Sequence, residues 1–93
     1  LKELDKPNLY VIARFLDVLW WNNKGVGKTR LQMAVRLNYP AFLTYIDWLE
    51  SHGLINIIKD ENDSDKIFLS PKGKESYKKL VEWIKDTIRD RDF

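Results

Sequence analysis

Gly25-Val-Gly-Lys-Thr29 is the stretch whose residue types come nearest to chemistry. A glycine-rich loop ending in Lys-Thr can cradle phosphates with its backbone amides, the lysine reaching the terminal phosphates and the hydroxyl a magnesium ion. Such a loop also needs a glycine across four intervening residues and a strand before it. Position 22 is Asn, the preceding residues have helical spacing, and 93 residues leave no room for a nucleotide-binding sheet. Nucleotide hydrolysis is therefore set aside, and Lys28 and Thr29 are read as the start of a helix. What survives is charge: Lys24, Lys28, Thr29, Arg30 and Arg36 cluster around that helix. A helix N-terminus adds backbone N–H donors that favour an anion. The available chemistry is phosphate binding, and the plainer alternative is a solvated charged face.

Other reactive types are sparse. His52 is the single histidine and there is no cysteine, so a His-Cys zinc site is absent. His52 reads better as the end of a helix, where a cation interacts favourably with the dipole. Asp60-x-Asn62-x-Ser64 faintly resembles a calcium loop, but it lacks the glycine at the sixth position and the bidentate glutamate at the twelfth. No spacing asks for a Ser-His-Asp arrangement. The expectation is a protein that is not an enzyme and has no cofactor and no metal.

The elements that position these residues follow from apolar spacing. Leu9, Ile12, Ala13, Leu16, Leu19 and Trp20 make one broad face of a helix over roughly 8–21, after Pro7 and Asn8. Asn22-Asn-Lys-Gly25 is its exit, because Asn and Gly accept left-handed backbone angles. A second helix is expected over about 28–36, with Leu31, Ala34 and Val35 inward and Arg30 and Gln32 outward. Asn38-Tyr-Pro40 breaks the chain, with Pro40 in the first turn of a third helix. Phe42, Tyr45, Ile46 and Leu49 form that helix's packed face, and Gly53 ends it. Residues 54–59 and 66–69 read as two strands around a polar turn at 60–65. Ser70-Pro71 supplies a hydroxyl cap followed by a first-turn proline. The last helix runs from 71 to about 90, roughly 30 Å at 1.5 Å per residue. The expected fold is α+β: a single domain over 1–93 with three core helices, a β-hairpin and a long C-terminal helix.

From Lys28 to Lys79 the chain resembles a family of small archaeal winged helix-turn-helix proteins, usually treated as transcriptional regulators or DNA-binding proteins. It is similar, more loosely, to the PadR and MarR groups. The resemblance rests on Lys28-Thr-Arg at the second helix, on Leu37-Asn-Tyr39 at the turn, and on Phe42, Tyr45, Ile46 and Leu49 in the recognition helix. His52-Gly-Leu-Ile55 stands where such proteins often carry a basic residue before Gly-Leu-Ile, and Phe68-Leu-Ser-Pro-Lys-Gly73 where they carry an aromatic, Leu-Thr and Gly. The order and spacing of these pieces carry the likeness, which spans over half of the chain.

The resemblance implies a partner, double-stranded DNA, with the third helix in the major groove and the second crossing the backbone. Base contacts then fall to Ala41, Leu43, Thr44 and Asp47. Thr44 can bond a base edge, Asp47 can accept from a cytosine amino group, and Ala41 or Leu43 can meet a thymine methyl. Phosphate contacts fall to Lys24, Lys28, Thr29, Arg30, Arg36 and Tyr39, with Lys59 and Lys66 at the base of the wing. Four carboxylates, Asp60, Glu61, Asp63 and Asp65, crowd the wing tip and would repel a duplex unless turned away or neutralised. A second class of function stays open: an interaction module that engages another protein through this acidic wing and exposed aromatics.

Net charge is only +2, but it is unevenly spread. Residues 1–36 carry +4, residues 37–69 carry −4 and residues 70–93 carry +2. The two basic segments are the ones expected to face a polyanion. In the last helix Tyr77, Leu80, Val81, Ile84 and Ile88 form an apolar stripe, with Trp83 beside it. That stripe is longer than one small domain needs, so residues 71–91 are expected to pair with a second copy as a homodimer. Members of the resembled archaeal family often dimerise in this way. No uncharged apolar stretch approaches 18 residues and the first residues are charged throughout, so no membrane association and a cytoplasmic location are expected.

Overall fold

A computed structural model describes residues 6–87. The chain order is α1 (Leu9–Trp21), β1 (Val26–Gly27), α2 (Lys28–Val35), α3 (Tyr39–Ser51), β2 (Ile55–Lys59), β3 (Asp65–Leu69) and α4 (Pro71–Thr87). This is the expected α+β winged-helix arrangement, with a third strand added to the hairpin.

Three of the four helices start on a side chain that caps them. The Asn8 side chain accepts from the amides of Tyr10 and Val11, at 2.8 and 3.3 Å, and so caps α1. The Asn8 amide itself donates to the Tyr45 hydroxyl at 2.9 Å, which ties the start of α1 to α3. Asn38 caps α3 by accepting from the Ala41 amide at 2.9 Å. Ser70 caps α4 by accepting from the Gly73 amide at 2.9 Å while donating to the Gly53 carbonyl. Arg36 closes α2 in the left-handed conformation, at φ 59°, and lies just beyond the helix.

Three helices and the sheet share one core. Val11, Ile12, Phe15, Leu16 and Leu19 of α1 meet Leu31 and Val35 of α2, Phe42, Tyr45, Ile46 and Leu49 of α3, and Val26, Ile55, Ile67 and Leu69 of the sheet. Phe15 stacks against both Phe42 and Tyr45 with ring centroids 5.9 Å apart. Three expected details are corrected. Leu9 is exposed, and Val11 and Phe15 complete the inner face of α1 instead. Ala34 is exposed, because only Leu31 and Val35 of the short α2 point inward. Tyr39 is the first residue of α3 and does not precede it, since Asn38 takes the cap.

The sheet has the order β1-β3-β2 and both pairs are antiparallel. In the hairpin Ile55 faces Leu69, Ile57 faces Ile67 and Lys59 faces Asp65; β1 sets Val26 against Ile67 and Gly27 against Lys66. The β1 strand was not foreseen: two residues carry no alternation to read. Gly25 makes it reachable, with φ at 92° and the Phe68 ring where a side chain would stand. Gly73 plays the matching part at α4, where a β-carbon would collide with the Leu54 carbonyl oxygen.

The first half of α4 lies along α1. Tyr77 stacks on Trp20 at 4.9 Å and donates from its hydroxyl to Asp17 at 2.6 Å. Beyond it Trp83 and Ile84 are exposed. No helix among the described residues is long and apolar enough to cross a membrane.

Candidate nucleic-acid interface

The wing and the start of α2 meet around one carboxylate. Asp65 lies at the first position of β3, and the hairpin register sets it opposite Lys59. Its Oδ1 receives Lys59 Nζ at 3.1 Å and its Oδ2 receives Lys28 Nζ at 3.1 Å. Hydrogen bonds from Lys28 and then Lys59 hold the Asp65 carboxyl below its ordinary value of 3.8. Lys59 also donates to the Asp63 carbonyl at 3.5 Å. Asp60 faces inward to the turn, where its Oδ1 accepts from the amides of Asn62 and Ser64 at 2.9 and 3.0 Å. Two of the four wing carboxylates are thus spoken for, leaving Glu61 and Asp63 exposed.

Between the wing and α2 lies an open, polar recess of about 530 Å³, lined by Gly27, Lys28, Thr29, Arg30, Ser64, Asp65 and Lys66. Gly27 occupies the cap position of α2 and brings no side-chain hydrogen bond, so the positive end of that helix opens beside the recess. Of the expected phosphate contacts, Lys28, Thr29, Arg30 and Lys66 come together here, and Lys59 joins them through Asp65. Lys24, Arg36 and Tyr39 are exposed but do not line it. Gly27, Ser64 and Asp65 are the lining residues that the sequence did not assign to a site. The expected strand bounds set Lys59 opposite Lys66 and left Asp65 in the turn, so only the observed register reveals it.

The exposed side of α3 is poor in cations and amides. Asp47 is exposed, while Ala41, Leu43 and Thr44 are half-buried. Leu43 packs against the core. The Thr44 hydroxyl donates to the Pro40 carbonyl at 3.0 Å, which leaves its oxygen free to accept. Trp48 is half-buried and stacks on the His52 ring at 4.0 Å. His52 Nδ1 lies 2.8 Å from the Trp48 carbonyl, and Lys72 Nζ donates to the His52 carbonyl at 2.7 Å. His52 therefore finishes α3, and Lys72 brings the cation to its negative end. No group of three or more His, Asp or Glu among the described residues is placed to hold a metal.

Away from the recess, Leu80, Val81 and Tyr77 of α4 are half-buried and Trp83 and Ile84 exposed; Ile88 lies outside the described residues. A groove of about 600 Å³ runs between α1, α2 and α4.

Winged helix-turn-helix proteins share a sequence pattern that matches residues 8–87 of this chain. The chain belongs to the winged helix-turn-helix family. No curated protein matches it. Among solved structures it is similar to the transcriptional repressor CouR bound to a 23-mer DNA duplex, with 23% identity and a TM-score of 0.77 over 85% of this chain and 56% of that one. It is similar to F93 from STIV, a winged-helix DNA-binding protein, with 20% identity and a TM-score of 0.77 over 89% and 96%. It is also similar to Sso10a-2, a DNA-binding protein from Sulfolobus solfataricus, with 26% identity and a TM-score of 0.68 over 92% and 84%. This winged helix thus spans little more than half the length of CouR and nearly all of F93.

Proposed function

We propose that this protein binds double-stranded DNA as a homodimer and regulates transcription by occupying operator DNA. One observation carries the reading: Lys28, Thr29, Arg30 and Lys66 converge on a recess at the uncapped start of α2, beside the wing. In winged-helix geometry α2 crosses the DNA backbone while α3 lies in the major groove, so the recess falls where phosphates run. The naming of CouR, F93 and Sso10a-2 as a repressor on DNA or as DNA-binding proteins supports the same reading by analogy. Backbone contacts position a protein without specifying sequence. Base reading rests on Thr44 and Asp47, with Ala41 and Leu43 as apolar neighbours, because α3 contains no Arg, Lys, Gln or Asn. Affinity in this proposal comes mainly from phosphates and sequence preference is shallow.

A fluorescence-anisotropy titration with random duplex DNA at 50 and 200 mM salt tests the reading. Affinity should fall with salt, and Arg30→Gln should reduce the slope of log affinity against log salt by about one. A folded protein that binds no duplex at the lower salt would overturn it and leave the protein-interaction reading in its place.

A further inference from the structure

Lys28, which lines the recess, shares a single anion with Lys59 of the wing. Each donates to a different oxygen of the Asp65 carboxylate, at 3.1 Å, so the carboxylate bridges them as a phosphate would. Asp65 is only partly exposed, with a quarter of its side chain open, while Lys28 and Lys59 keep 38% and 61% of theirs. The lysine heads are therefore reachable from solvent although their charge is already engaged. Asp65 also lines the recess itself, together with Arg30 and Lys66.

We infer that Asp65 is an internal stand-in for a DNA phosphate: it competes with the duplex for Lys28 and Lys59, and it sets how steeply binding depends on salt. The inference rests on the DNA reading above and names how that site is tuned. A phosphate and a carboxylate place similar charge and similar acceptor oxygens before a lysine. A phosphate that reaches Lys28 must share it with Asp65 or displace the carboxylate, so counterion release per lysine is smaller than for a free cation. Asp65 is then a positioning residue in the ground state and an inhibitor of backbone affinity. It keeps the two lysine heads ordered between the wing and α2, and it holds non-specific binding down. With few base-reading groups on α3, a device that limits phosphate affinity is what preserves whatever sequence preference exists.

The experiment is a two-by-two cycle of Asp65→Asn and Lys28→Gln, each measured by anisotropy on random duplex between 50 and 200 mM salt. Asp65→Asn should bind more tightly at the lower salt. The ratio of its affinities at 50 and 200 mM should exceed the wild-type ratio by about 3-fold to 12-fold, for one or two lysines released. Lys28→Gln should cost more in the Asp65→Asn background than in the wild type, because only there is the lysine free. Asp65→Glu, which keeps the charge, should stay near the wild type in slope. A purely structural Asp65 predicts the opposite pattern: weaker binding in Asp65→Asn, an unchanged slope and no dependence of the Lys28→Gln effect on background. Thermal melts of each variant separate lost fold from altered binding. Wild-type binding with no gain in Asp65→Asn overturns this inference alone. Absence of binding by both overturns the DNA reading as well, whereas binding by Asp65→Asn alone establishes the carboxylate as a block.

Discussion

The Tyr77 hydroxyl donates to Asp17 at 2.6 Å while its ring stacks on Trp20, so one side chain fastens α4 to α1 by two kinds of contact. Burial, and then the Asp17 carboxylate, push the Tyr77 hydroxyl above its ordinary value of 10.0. The folded state therefore holds the phenolic proton more tightly than the unfolded chain does. The resulting stability is fully present below pH 10 and is lost as pH rises through the raised folded value. Urea unfolding of the wild type and Tyr77→Phe between pH 8 and 11 checks this. At pH 8 the variant should be less stable by about 1 kcal/mol, for the hydrogen bond it lacks. The gap should close as the pH passes 10, and a gap that stays constant would contradict the mechanism. Sequence alone placed Tyr77 on the apolar stripe but could not show Asp17, sixty positions away. The same limit applied to the recess. Lys28, Thr29 and Arg30 were legible as cations and a hydroxyl at a helix start, and Lys66 as a cation at the base of the wing, whereas Asp65 looked like one repelling carboxylate among four. Its role depends on the hairpin register that sets it opposite Lys59, and register depends on the turn that Asp60 closes.

At the scale of elements, Ser70 joins three of them. Its hydroxyl caps α4 through the Gly73 amide and donates to the Gly53 carbonyl at the end of α3, while its own amide donates to the Leu54 carbonyl at 3.0 Å. Ser70→Ala removes the cap, worth about 0.5–2 kcal/mol, and leaves the Gly53 carbonyl without this donor. The expected loss is on the order of 2 kcal/mol in urea unfolding at unchanged slope, and a loss under about 0.5 kcal/mol would refute the joint. Ser70 as a cap, with Pro40 and Pro71 in first turns, made the element order readable, because a hydroxyl satisfies an orphan helix amide and a proline brings none, both by local chemistry alone. The hairpin was readable from its β-branched run and polar turn, with boundaries shifted by one residue at each strand. The two-residue β1 was not, since its pairing with β3 is a tertiary fact without local pattern. Leu9 and Ala34 fit the helical period yet face solvent, because the period says which residues share a face and not how far the neighbouring element extends.

At the scale of the molecule the unanswered surface is the far half of α4. Leu80 and Val81 are half-buried, Trp83 and Ile84 exposed, and Ala13, Val18 and Ala34 line the adjoining groove. A second copy laid along this groove would cover the stripe, and each copy would then carry one basic recess to the duplex. Two linked recesses raise the effective concentration of the second binding event once the first has formed. They would meet half-sites about one helical turn apart if the copies are suitably placed. Ile84→Glu sets a charge in the proposed contact at a position exposed in the single chain, so the fold itself should persist. Sedimentation at tens of micromolar should give twice the chain mass for the wild type and the single mass for the variant, with unchanged helical circular dichroism. On a duplex carrying two half-sites the variant should bind more weakly, with roughly half the wild-type salt slope for each binding event. A wild type that sediments as a monomer would remove the homodimer from the proposal while leaving the recess as a single phosphate-binding site. A variant that remains dimeric would instead move the contact off α4.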